Sequence, residues 1–305
     1  MKKKTLNNFI KNNGVGLTIG NFDGLHLGHR NLIDKLTSVC KLKGLASAVL
    51  TFNPHPVQIL RPQSNFLINS YIDRTEIIKS FSVNEIYEIN FDRDFSTQSP
   101  DDFFEKYIYT IPDLKFVILG HDFSFGSGKS GNSEKLKGMC EKKGIETLIH
   151  KPFIYQDEII SSSQIRKLID AGDVNLAAEK LGRPYFISGT VVKGDGRGKK
   201  IGFPTANIAF DHILKIPLRG VYVTRVEIEN MIFDSVTNIG FSPTFKDTQV
   251  VAVESHLLDF SNDIYGETIK VSFYKKLRDE KKFESVNELV NQIKLDVALS
   301  RGGVR

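Results

Sequence analysis

The chain has 305 residues, enough for two domains with separate cores, and its 40% hydrophobic and 25% charged content is that of a globular protein. No apolar run approaches the roughly 20 residues of a membrane helix, and 2 cysteines, Cys40 and Cys140, exclude a disulfide scaffold. A net charge of +5 suits anionic ligands, but Lys and Arg are dispersed rather than clustered with aromatics. That distribution favours nucleotides over nucleic acid. Met1–Lys4 is basic like a signal-peptide start, yet no apolar stretch follows, so a cytoplasmic location is expected.

The first strand is Val15–Ile19. It runs into Gly20-Asn21-Phe22-Asp23-Gly24-Leu25-His26-Leu27-Gly28-His29, and then Leu32, Ile33, Leu36, Val39 and Cys40 recur at helical spacing up to a stop at Gly44. Two histidines flanking Gly28 at a helix start suit phosphate, because the first N–H groups of a helix lack partners and the dipole there is positive. Further strands are expected at Leu45–Phe52, Glu85–Phe91, Lys115–Leu119 and Glu146–His150. Helices are expected at Asp73–Phe81 (Asp73 as cap), from Ser99-Pro100, and over Asn132–Lys143. This alternation predicts a parallel sheet with helices on both faces and ligands beyond its C-terminal strand ends. Gly126-Ser127-Gly128-Lys129-Ser130-Gly131 fits G-x-G-x-x-G but does not directly follow a strand, so a dinucleotide site is rejected. Ser161, Ser162, Ser163 and Arg166 open another helix and form a second candidate anion site, with hydroxyls, free N–H groups and a guanidinium fork.

After about residue 184 the pattern changes to strands in succession: Phe186–Lys193, Val221–Ile228, Phe233–Asn238, Val250–Leu258 and Thr268–Tyr274, with a closing helix over Glu284–Ser300. This predicts a small antiparallel β-barrel, hence domains 1–184 (α/β) and 185–305 (β). Between Gly194 and Gly202 lie four glycines, including Gly194, Gly196 and Gly198, and three cations, Arg197, Lys199 and Lys200, a composition suited to cradling phosphates. Thr205 and Asn207 follow in an extended segment, with neutral oxygens on one side that suit Mg²⁺. In the strand around residue 255, Glu254 and His256 share a face opposite Ser255. From the residues alone, Glu254 is equally consistent with a solvated face.

These motifs together resemble the bacterial bifunctional riboflavin kinase/FAD synthetases over nearly the whole chain. His26-Leu27-Gly28-His29 is similar to the H-x-G-H signature of nucleotidylyltransferases, and Ile160–Arg166 to their I-S-S-T-x-I-R element, with Ser163 in place of threonine. Phe52–Pro56 and Gly120–Gly126 resemble synthetase stretches, with His121 where an acid is common. Gly202–Asn207, Asn238–Phe245 and Glu254–Phe260 resemble the G-F-P-T-A-N, N-I-G-x-x-P-T-F and E-x-H-L-L-D-F elements of riboflavin kinases.

The resemblance implies a nucleotidylyltransferase-type α/β domain and a six-stranded barrel with a closing helix. It implies phosphorylation of riboflavin by ATP to FMN, then adenylylation of FMN to FAD. Glu254 would be the kinase base, and Thr205 and Asn207 the Mg²⁺ ligands. ATP would be bound by Gly20, Asn21, Phe22, Asp23, His26, Gly28, His29, Ser161–Ser163 and Arg166 in one site, and by Gly194, Gly196, Arg197, Gly198 and Lys200 in the other. His29 and Arg166 would serve adenylyl transfer, and Asn53, His55, Pro56, Asp122, Phe123, Phe125 and Glu254 the flavin. No nucleic-acid or membrane partner is expected. The competing readings are a kinase with a non-catalytic N-terminal half, and a flavin- or nucleotide-binding regulatory protein, which would have no use for a base at Glu254.

Overall fold

The computed structural model describes residues 1–6, 13–243 and 249–302. Thr244 and Phe245 of the N-I-G-x-x-P-T-F stretch lie outside the described residues. The chain divides into two compact units, Met1–Gln63 with Tyr71–Ser161, and Ser64–Ser70 with Ser162–Arg305. This division falls earlier than the expected boundary at 184/185 and moves a seven-residue segment of the first half into the second unit.

The first unit is built on a six-stranded sheet. Its elements are β1 (Lys2–Thr5), β2 (Val15–Ile19), α1 (Leu27–Lys43), β3 (Ala46–Asn53), α2 (Tyr71–Ser80), β4 (Glu85–Asn90), α3 (Pro100–Phe103), β5 (Leu114–Gly120), α4 (Ser133–Lys142) and β6 (Glu146–His150). The spatial order is β1-β4-β3-β2-β5-β6, parallel from β4 to β6. Strand order reverses between β3-β2 and β5, which places the switch point at the ends of β2 and β5. β2 and β3 are buried along almost their whole length, as expected for a sheet covered on both faces. The expected strand-then-helix alternation holds, with two corrections. α2 starts at Tyr71, so Asp73 sits in its first turn rather than capping it. The basic N-terminus is an antiparallel edge strand, β1, whose Lys3 and Lys4 meet Glu85 (2.7 Å) and Glu88 (3.6 Å) of β4. Both cysteines are buried, and burial pushes the Cys40 thiol up to about 12, consistent with inert core residues.

The second unit opens with α5 (Ser162–Ala171) and α6 (Val174–Leu181), followed by β7 (Tyr185–Val192), the one-turn α7 (Arg197–Lys200), β8 (Ala206–Ala209), β9 (Gly220–Ile228), β10 (Met231–Pro243), β11 (Gln249–Leu257), β12 (Thr268–Arg278) and α8 (Val286–Gly302). The strands close into a barrel in the order β7-β8-β11-β10-β9-β12, every pairing antiparallel. Val226, Val253, Val271 and Phe273 fill its interior together with a chain of buried hydroxyls, in which Thr224 meets Ser235 and Thr237, and Thr237 meets Ser255, each at 2.7 Å. Ser300 of α8 donates to the Ser235 carbonyl (3.0 Å), which ties the closing helix to that chain. Segment Ser64–Ser70 belongs here through main-chain bonds. The N–H groups of Phe66 and Leu67 donate to the Ile213 carbonyl, and that of Lys215 donates to the Leu67 carbonyl.

Candidate functional sites

In the first unit the turn after β2 is strained. Phe22, Gly24 and Leu25 have φ of 52°, 84° and 43°, and non-glycine residues hold such values only where the surroundings enforce them. Burial is what enforces it: Phe22 and Leu25 are 1% and 0% exposed, and Asp23 is 4% exposed. Phe22 is thus a core side chain. His26 caps α1, its Nδ1 accepting from the His29 N–H (3.3 Å). That bond leaves the proton of a neutral ring on Nε2. The His29 ring stacks on His26 with centroids 3.7 Å apart and meets the Phe22 edge at 5.3 Å. A Cβ on Gly28 would lie 3.2 Å from the His26 ring, so glycine there leaves room for the pair.

The turn after β3 is arranged similarly. His55 is buried and caps the short helix Pro56–Leu60, accepting from the Val57 N–H (3.2 Å), while its own N–H donates to the Tyr71 hydroxyl (2.8 Å). After β5, Asp122 is exposed and Phe123 is partly buried. Phe125 is 7% exposed and packs on Phe103 with centroids 5.3 Å apart. His121 lies 4.0 Å from the Asp122 carboxylate.

One residue that sequence reasoning missed joins these turns. Arg74, on the buried face of α2, donates from Nη1 to the carbonyls of Asn21 (3.2 Å) and Phe52 (3.0 Å) and lies 3.6 Å from Glu88. Burial lowers its pKa, and the charges of Glu88, Tyr71 and Asp23 act in the opposite sense. Arg74→Met would strip both carbonyls of a donor and remove a buried partner of Glu88, so a loss of about 3 kcal/mol is expected in urea unfolding. The only signal in the sequence was an arginine next to the apolar positions Ile77 and Ile78 of an otherwise weakly patterned helix.

The serine-rich stretch straddles the division of the chain. Ser161 ends the first unit, and Ser162, Ser163 and Arg166 begin the second as the first turns of α5. Within that unit the Arg166 Nε donates to the Phe66 carbonyl (3.0 Å), and its guanidinium covers the Phe66 ring at 3.9 Å.

On the barrel, the pairing register brings together residues far apart in sequence. Glu254 lies opposite Asn207 of β8 on one side and Asn238 of β10 on the other, so the carboxylate sits between two amides on the barrel's outer face. Burial raises its pKa; the Arg197 charge lowers it and that of Asp195 raises it. Arg197 is ion-paired with Asp195 at 2.9 Å, and Gly196 holds a left-handed φ of 66°. The loop carrying them closes on the β8 end. A Cβ on Gly194 would fall 2.3 Å from the Asn207 amide nitrogen. One on Gly198 would fall 2.3 Å from the Phe203 carbonyl and 3.4 Å from the Thr205 Oγ1. Glycine at both positions therefore leaves open a cradle around Thr205 and Asn207. Among the described residues no group of three His, Cys, Asp or Glu could hold a metal. A cation here would take neutral oxygens plus phosphates, which suits Mg²⁺. Gly194→Ala is expected to push the Asn207 amide out of this position.

Known proteins resemble both halves. A FAD synthetase family matches residues 9–164 and a riboflavin kinase family residues 181–302. The bifunctional riboflavin kinase/FMN adenylyltransferase of Bacillus subtilis (strain 168) is 37% identical over 284 residues, covering 92% of this chain and 89% of that protein. The chain belongs to the bifunctional riboflavin kinase/FMN adenylyltransferase family. Members from Listeria monocytogenes and Escherichia coli (strain K12) are 36% and 33% identical, covering 92% and 94% of this chain and 89% and 92% of theirs. A solved structure described as a macrolide-efflux protein from Streptococcus pneumoniae matches with a TM-score of 0.86 at 33% identity, over 98% of this chain and 97% of that one. The chain makes FMN from riboflavin and ATP in its C-terminal half. In its N-terminal half it makes FAD and pyrophosphate from FMN and ATP.

Proposed function

We propose the following residue roles, with the functional domains running over 1–184 and 185–305. In the barrel, Glu254 takes the proton of the riboflavin 5′-hydroxyl as that oxygen attacks the γ-phosphorus of ATP and ADP departs. The observation that carries this role is the position of Glu254, flanked by Asn207 and Asn238 and next to the Gly194–Gly202 loop, with its pKa raised by burial. Gly194, Gly196, Arg197, Gly198 and Lys200 receive the phosphates, while Thr205 and Asn207 hold Mg²⁺, which when bound neutralises phosphate charge. In the α/β half the attacking group is the FMN phosphate, already an anion, so no base is needed. His26, His29, the turn Gly20–Gly28, Ser161–Ser163 and Arg166 serve as donors to the α-phosphate and the departing pyrophosphate. Asn53, His55, Pro56, Asp122 and Phe123 face the flavin, with Phe125 beneath them.

No helix among the described residues is long and apolar enough to cross a membrane. The proposed setting is the cytoplasm, with small-molecule partners only. Supplying riboflavin and MgATP and separating the flavins by chromatography tests the scheme: FMN is expected first, then FAD. Absence of both products would leave the regulatory-protein reading in place.

A further inference from the structure

β8 is short and pairs with β11 at two positions only, Ala206 opposite Ser255 and Asn207 opposite Glu254. One step further would set Thr205 opposite His256, but Pro204 has no N–H to extend the ladder. A side chain takes over at that point. His256 Nδ1 lies 2.7 Å from the Pro204 carbonyl, and its ring meets the Phe203 ring edge-on at 5.4 Å. A carbonyl only accepts, so Nδ1 carries the proton, whether the ring is neutral or charged. Thr205 is thereby held on both sides, by the ladder at Ala206 and by the imidazole at Pro204. His256 stands two residues from Glu254 on the same strand face, so one strand fixes both the base and the threonine hydroxyl.

We infer that His256 is a positioning residue of the kinase half, which through Pro204 sets the Thr205 hydroxyl beside the Asn207 amide to receive the divalent cation of the nucleotide. This rests on the assignment of Thr205 and Asn207 as the cation's protein ligands.

The test uses the full chain and three variants. His256→Phe keeps the aromatic edge contact without the donor, His256→Asn restores a donor at the Nδ1 position, and Thr205→Ser identifies the Thr205 methyl resonance by its loss. With ADP bound, Mg²⁺ is titrated while that resonance is followed. The half-saturating Mg²⁺ is expected to rise about tenfold in His256→Phe, the scale of one lost hydrogen bond, and to return to within about threefold of wild type in His256→Asn. FMN formation should show the same rise in half-saturating Mg²⁺ with little change in kcat, and conversion of supplied FMN to FAD should be unaffected. A Thr205 signal that ignores Mg²⁺ in the wild type would overturn the cation assignment and the inference with it. A signal that responds to Mg²⁺ identically in wild type and His256→Phe would overturn the positioning role alone.

Discussion

Glu254→Gln is expected to lower the rate of FMN formation by roughly 10²–10³-fold, the usual share of a general base, while supplied FMN is still converted to FAD at the wild-type rate. The carboxylate is the only acidic group that the register places between Asn207 and Asn238, so no neighbour on those strands stands ready to replace it. Its titration gives a second reading of the same role. Burial raises the Glu254 pKa, and only the ionised form accepts a proton. The acid limb of the kinase pH profile should therefore lie above the ordinary glutamate range, with activity rising as pH rises through it. The Arg197 charge lowers this pKa and the Asp195 charge raises it. Arg197→Ala should move the limb to higher pH and Asp195→Asn to lower pH.

Stability should run the other way. A carboxyl whose folded pKa is raised binds more protons in the native state than in the unfolded state between the two pKa values. Stability is then lost as pH rises through that window. Glu254→Gln should accordingly melt at a higher temperature than wild type at neutral pH while being nearly inactive as a kinase. That combination separates a functional carboxylate from a structural one. If Glu254→Gln instead slowed both reactions equally, independent sites on the two halves would be the wrong picture.

What could be read beforehand follows the range of the interactions. The strand–turn–helix unit from Val15 to Gly44 was legible because its signals are local: an apolar strand, a glycine-rich turn leading into apolar residues at helical spacing, and a glycine stop at Gly44. Five of the six barrel strands were legible one by one, β8 only as an extended segment, and their order was not. The meeting of Glu254 with Asn207 and Asn238 depends on β11 lying between β8 and β10, which no local pattern specifies. β1 was missed because four residues, three of them lysines, carry no apolar alternation. They are held by main-chain pairing and by Glu85 and Glu88, more than 80 positions away. Phe22 and Phe125 sat inside binding motifs and were read with them, yet both are core side chains beneath the turns they belong to. Segment Ser64–Ser70 falls within the expected first domain, and its hydrogen bonds to Ile213, Lys215 and Arg166 tie it to the second unit.

His29→Ala is expected to stall the pathway at FMN, lowering adenylylation by roughly 10²-fold, the cost of removing one donor that faces developing phosphate charge, with FMN formation unchanged. The local geometry says why this variant should fold. The bond that caps α1 uses the His29 main-chain N–H and the His26 ring, so it survives loss of the His29 side chain. What is lost structurally is the ring stacked at 3.7 Å on His26 and edge-on to Phe22, a contact of about 1 kcal/mol. His26→Ala differs, since it removes the cap itself and should cost a further ~1 kcal/mol of stability. Comparing the two histidines therefore separates chemistry from architecture. Both variants should lose adenylylation, but His26→Ala should melt earlier than His29→Ala, as read by calorimetry. Adenylylation within about threefold of wild type in a folded His29→Ala, a change of under 1 kcal/mol, would remove His29 from the phosphate clamp. The strained turn and the capping ring would then be scaffolding for other donors along Gly20–Gly28.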